Sequence, residues 1–191
     1  MHAFWISAGV VALAEIGDKT QLLALLLAAR FRRPLPVIAG ITVATLANHG
    51  LAGLVGAWIT HWLGPSLLRW LLGLCFIAMG VWTLVPDKAD EGPIERTGTG
   101  AFTATLVAFF LVEMGDKTQL ATAMLAARYT PLAAVVLGTT SGMLLADVPA
   151  VLLGERVTRV LPLSWVRLCA AALFVLLGLA TLLGAGSMLG T

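Results

Sequence analysis

Six apolar runs, at about residues 4–29, 35–60, 66–86, 101–127, 132–157 and 163–186, confine this chain to a narrow set of folds. Each is near or above the roughly 20 residues that carry a helix across the hydrocarbon core of a bilayer. Because that layer holds no water, the backbone groups of each run must pair within the run itself. The expectation is an all-α integral membrane protein of six transmembrane helices. Composition leaves no material for a soluble domain: of 191 residues 59% are hydrophobic and only 12% charged, against roughly 25% charged in an ordinary soluble domain. A lipid bilayer is the expected surrounding, and no nucleic-acid partner is expected.

The runs are separated by Arg30 to Pro34, Gly64-Pro65, Pro86 to Gly100, Tyr129 to Pro131 and Pro162. The third separator is the one sizeable hydrophilic stretch and reads as an acidic surface linker, with Asp87, Lys88, Asp90, Glu91, Glu95 and Arg96 among glycines. The first run lacks a basic leader and is interrupted by Glu15, Asp18 and Lys19, so it reads as a retained span rather than a cleaved signal. Cys75 and Cys169 lie in apolar runs and read as packed thiols. Arg30, Arg32, Arg33, Lys88, Arg96, Arg156, Arg159 and Arg167 fall at one membrane face, against Arg69 and Arg128 at the other. By the positive-inside rule the richer face is cytoplasmic and both termini lie outside.

Shifting the chain by 98 residues superimposes its halves: Glu15 falls on Glu113, Asp18 on Asp116, Arg30 on Arg128, Gly40 on Gly138, Arg69 on Arg167 and Gly80 on Gly178. Each copy holds three spans, an odd number, so the second enters the membrane in the opposite sense. The expected organisation is a first three-helix repeat over 1–86, a cytoplasmic linker over 87–100 and a second, inverted repeat over 101–191. Inverted repeats are a recurring plan of secondary transporters, with the substrate site near the midplane between them.

The longest matching segment is charged: Glu15-Ile16-Gly17-Asp18-Lys19-Thr20-Gln21 and Glu113-Met114-Gly115-Asp116-Lys117-Thr118-Gln119. Glu15 precedes the basic loop by about fifteen residues, roughly 22 Å of helix, and cannot reach that face. Six ionisable groups at such depth cost about 15–20 kcal/mol if charged and unpaired, more than a typical folding stability. They must pair, bind a cation or take up protons. On a continuous helix Glu15 and Asp18 share a face, with Lys19 beside Glu15, and Glu113, Asp116 and Lys117 repeat this. Inverted symmetry brings four carboxylates toward one point, with Gln21 and Gln119 offering amide oxygens. Gly17 and Gly115 permit close approach or an unwound helix.

Oxygen ligands suit hard divalent cations such as Mn2+, Ca2+ or Mg2+. Crowded carboxylates titrate as a coupled unit, so metal and proton compete for the same oxygens. That is a physical basis for metal/proton exchange, with Lys19 and Lys117 paired to carboxylates when metal is absent. The alternative is that each Glu-Lys pair is a structural salt bridge, which leaves Asp18, Asp116 and the duplication without a reason. Asp147, aligned with His49, is a further intramembrane acid; with Asn48 these read as proton-relay or supporting groups, or as interhelical hydrogen-bonding groups. Thr20 and Thr118 lie off the carboxylate face of an unbroken helix, where bonding back to a carbonyl is expected.

The two E-x-G-D-K/R-S/T motifs, Glu15 to Thr20 and Glu113 to Thr118, each opening one half of a six-span chain, resemble the Gdt-one-like family (uncharacterized protein family sixteen). The resemblance covers nearly the whole chain. It implies Mn2+ and Ca2+ transport against protons, with bacterial members resembling manganese exporters, and it carries metal binding onto Glu15, Asp18, Glu113 and Asp116. The chain's length resembles that of a bacterial inner-membrane member. No cofactor is implied beyond the transported ion. Two other classes fit less of the sequence: an exporter of a small organic cation such as a basic amino acid, and a non-transporting scaffold, which has little use for five intramembrane acids. No nucleophile triad, phosphate loop or metalloprotease helix points to an enzyme. Gly50, Gly53 and Gly56 on the second run permit close helix contact within the chain or in a homo-oligomer.

Overall fold

A computed structural model describes residues 1–85, 100–153 and 163–184. Residues 87–99 of the acidic linker, with Arg156, Arg159 and Pro162, fall outside the described residues. Those described form eight helices and no strand: α1 (His2–Glu15), α2 (Lys19–Phe31), α3 (Pro34–Trp62), α4 (Pro65–Thr83), α5 (Ala101–Glu113), α6 (Lys117–Arg128), α7 (Leu132–Leu153) and α8 (Leu163–Leu182). Four of them, α3, α4, α7 and α8, are long and apolar enough to cross a membrane, while α1 and α5 are shorter apolar helices.

The first and fourth apolar runs are thus not continuous helices. Each is broken in two at its charged motif, between α1 and α2 and between α5 and α6. The second run is unbroken, and in the fifth α7 continues through Pro149 to Leu153.

Polarity is distributed in the opposite sense to a water-soluble protein. Glu15, Asn48, His49, Glu113 and Asp147 are fully buried, whereas Leu54, Trp58, Leu145, Leu152 and Leu176 are exposed. An apolar exterior around a polar interior is what a hydrocarbon solvent selects.

The halves interlock through small residues. A Cβ built on Gly40 of α3 would lie 2.8 Å from the Phe102 carbonyl and from Cβ of Thr105 on α5, and one on Gly138 of α7 would meet the Phe4 carbonyl at 2.5 Å and Ser7 at 3.0 Å on α1. Phe4 and Ser7 are the 98-residue counterparts of Phe102 and Thr105, so one contact is made twice, once in each direction between the halves. Helices α3 and α7 meet at another equivalent pair, where Thr45 Oγ1 donates to Met143 Sδ at 3.3 Å. Farther along α3, Gly53 packs against Leu132 and Val136 at the start of α7, so these two helices run antiparallel. On α4 and α8, Gly73 packs on Leu182 and Gly80 on Val175, again antiparallel; the equivalent rings Phe76 and Phe174 stack there with centroids 6.5 Å apart.

Candidate metal centre at two broken helices

Each break has a defined local cause. Helix α1 ends in a turn in which the Asp18 N–H donates to the Glu15 carbonyl at 3.0 Å, and α5 ends with Asp116 donating to Glu113, also at 3.0 Å. Ile16 has φ −62 and ψ 114, and Met114 has φ −66 and ψ 114. Gly17 and Gly115 follow at φ 84 and 83. These are type II turns, whose third position demands positive φ and therefore glycine. Asp18 and Asp116 then sit in extended backbone as the N-cap residues of α2 and α6.

Three residues on, Gln21 Oε1 accepts the Gly17 N–H at 3.0 Å, and Gln119 Oε1 accepts the Gly115 N–H at 2.7 Å. A glutamine at the third helical position reaching back across the N-terminus is a variant of the capping box. Gln21 also donates from Nε2 to the Ala146 carbonyl of α7 at 3.0 Å, tying the first break to the other half. The amide oxygens expected to serve the carboxylate face instead hold the turns. Replacing Gly17 or Gly115 with Ala forces a side chain into the left-handed region at about 1–2 kcal/mol. Each variant is expected to lower stability by about that amount, read as a fall in unfolding midpoint in detergent.

The breaks converge. Ligand oxygens of Glu15, Glu113 and Asp116, all buried, lie within 4.8 Å of one another. Thr20 Oγ1 donates to Glu15 Oε2 at 2.5 Å, and Thr118 Oγ1 donates to Glu113 Oε2 at 3.1 Å. The other oxygen, Oε1 of each glutamate, is buried with no hydrogen-bond partner among the described residues. Each threonine therefore fixes one oxygen of its glutamate. This corrects the expectation of threonines bonding back to a carbonyl, because the turn carries Thr20 and Thr118 over the preceding helix end. Asp18 lies outside the 4.8 Å cluster and lines a neighbouring cavity with Lys117.

Lysine pairing also differs from the unbroken-helix expectation. Lys19 does not lie along Glu15; its Nζ crosses to Asp116 Oδ1 of the other half at 2.7 Å. Lys117 Nζ donates to the Val85 carbonyl at 3.3 Å and lies 5.6 Å from the centre of the Trp82 ring. Asn48 donates to the Phe110 carbonyl at 3.0 Å, an interhelical bond. His49 and Asp147 are fully buried, and both ring nitrogens of one and both oxygens of the other lack a hydrogen-bond partner among the described residues. The structure keeps all thirteen motif and supporting residues inside the bundle except Gln119 and Lys19, which are part-exposed.

Carboxylates gathered at paired helix breaks inside an apolar bundle define a class: membrane-embedded carriers of cations, in which helix C-termini and unwound carbonyls turn partial negative charge toward the ion. The model of the divalent cation/proton antiporter family GDT1 matches residues 3–91 and again 101–189. This chain belongs to that family, whose members are transporters and not enzymes. It is 50% identical over 182 residues, 95% of this chain and 90% of the relative, to a Vibrio cholerae protein named "Putative manganese exporter". It is 29% identical to GDT1-like protein 5 of Arabidopsis thaliana, covering 96% of each chain, and 26% identical to GDT1-like protein 5 of Oryza sativa, covering 94% of this chain and 93% of the relative. No solved structure matches it.

Proposed function

We propose that the protein exports a divalent metal ion, Mn2+ foremost and Ca2+ by the same ligand chemistry, from the bacterial cytoplasm across the inner membrane in exchange for protons. The observation that carries this is the meeting of Glu15, Glu113 and Asp116 within 4.8 Å, with Lys19 of one half on Asp116 of the other. Oxygens at that spacing suit one small hard cation with ligand bonds of about 2.1–2.5 Å. They are too close to surround an organic cation, which favours the metal reading.

Charge supports exchange with protons. Glu15, Asp18, Glu113 and Asp116 set against Lys19 and Lys117 leave two negative charges when all are ionised. One divalent ion or two protons neutralises that excess, so release of the metal and uptake of two protons keeps the buried site at constant charge. In this reading Asp18 joins the ligands as the site closes, and His49 and Asp147 pass protons.

The membrane arrangement proposed is six spans, α1–α2, α3 and α4 forming one repeat and α5–α6, α7 and α8 the other. The antiparallel course of α3 against α7 and of α4 against α8 supports opposite insertion, as does the odd number of spans per repeat. Both termini then lie outside and the linker over 87–100 in the cytoplasm, and access alternates between the faces. Purified protein in liposomes containing a metal-sensitive dye tests this: Mn2+ flux should follow an imposed pH gradient, and wild-type protein that moves neither Mn2+ nor Ca2+ would sink the reading.

A further inference from the structure

The 98-residue correspondence is broken beside the metal site in a way that gives one of the two lysines a second place to rest. On one side, a cavity of about 60 Å3 reaches from the turn at Gly17 and Asp18 to Thr83, Val85, Lys117 and Arg167. That is room for several waters. Lys117 stands in its wall, with its Nζ on the Val85 carbonyl and over the Trp82 ring. Trp82 and Val85 close the end of α4, and both are exposed.

On the counterpart side the equivalent residues are arranged differently. Lys19 reaches into the cluster and pairs with Asp116 at 2.7 Å. Thr181, the counterpart of Thr83, accepts a hydrogen bond from Nη1 of Arg128. The residue that corresponds to Trp82 is Ala180, so this side has no aromatic face for an ammonium group. A lysine over a tryptophan face gains roughly 0.5–2 kcal/mol from the ring quadrupole. The sequence supplies that resting place to Lys117 and withholds it from Lys19.

We propose that the Trp82 ring and the Val85 carbonyl are a docking station for the Lys117 ammonium, and that Lys117 closes the cavity by leaving it toward Asp18, the counterpart of the place that Lys19 already holds on Asp116. Trp82 is thus a positioning residue: it acts on the metal path through Lys117 and sets how long this side stands open. The gate rests on the reading of the carboxylate cluster as the transport site, while its test does not depend on metal.

Thr83→Cys, in a background with Cys75→Ala and Cys169→Ala, reports on the cavity through its rate of reaction with a membrane-impermeant thiol reagent in metal-free detergent. Trp82→Leu keeps an apolar side chain at the mouth but removes the π face, and it should slow labelling about fivefold. Trp82→Phe keeps a ring and should stay within about twofold of the parent. Adding Lys117→Met to Trp82→Leu should restore the parent rate, since the plug is gone. A Trp82→Leu rate equal to or above the parent overturns the proposal. So does a double variant as slow as Trp82→Leu alone, which would assign the effect to packing. Flux measured in the same variants reports separately on whether metal is the cargo.

Discussion

Glu113→Gln is expected to reduce pH-driven Mn2+ flux at least about 100-fold while leaving the protein folded. Glutamine keeps the size of the side chain and can still accept from Thr118, so the turn, the cap and the packing around α5 survive. What disappears is one of three buried carboxylates within 4.8 Å of each other, and with it a proton-binding group. Glu15→Gln should behave alike, because Thr20 holds its Oε2 as Thr118 holds that of Glu113. Thr118→Val should be milder, about tenfold, as it frees Glu113 to rotate without removing charge. Initial rates in liposomes at a fixed pH gradient read all three, and a Glu113→Gln rate near wild type would remove the cluster from the transport path.

The second large effect is one of stability and has opposite signs at two glycines six residues apart on α3. A Cβ on Gly56 would lie 2.0 Å from the Ala123 carbonyl oxygen of α6, backbone against backbone, where no side chain can give way. Gly56→Ala must push α6 off α3, at about 3 kcal/mol or more given ordinary overpacking costs of 1–3 kcal/mol. Gly50 has nothing within 4 Å of a built Cβ. Gly50→Ala should instead stabilise by up to about 1 kcal/mol through helix propensity. Thermal unfolding in detergent separates the two, and equal shifts in one direction would contradict the α3–α6 contact. The same contrast assigns Gly56 to packing inside the chain.

Much of this was legible beforehand because hydropathy and repetition are long-range signals. Six apolar runs fixed an all-helical membrane protein, and the 98-residue correspondence paired Glu15 with Glu113 before any geometry was known. The break inside the first and fourth runs was less legible, since an apolar average over some twenty residues passes through a three-residue turn unchanged. Its signal was local: a glycine before Asp18 and Asp116, followed by D-x-x-Q, which is turn and cap chemistry. Read as a continuous helix, the same residues put Lys19 on Glu15 and left Thr20 and Thr118 off the site. One type II turn reverses both placements. Asp18, expected beside Glu15, lies outside the cluster and lines the cavity, although the equivalent turn in the second half keeps Asp116 beside Glu113. The role of Trp82 required both the alignment that sets it against Ala180 and the fold that lays Lys117 over it.

Proton release on metal binding tests the central claim most directly. Mn2+ is titrated into purified, metal-free protein in several buffers of different ionisation enthalpy, and the heats give the ions bound and the protons released. The account predicts one Mn2+ per chain and about two protons released at a pH where the site is protonated, with both lost in Glu15→Gln and Glu113→Gln. Mn2+ binding that releases no protons, or that persists unchanged in both variants, would contradict it.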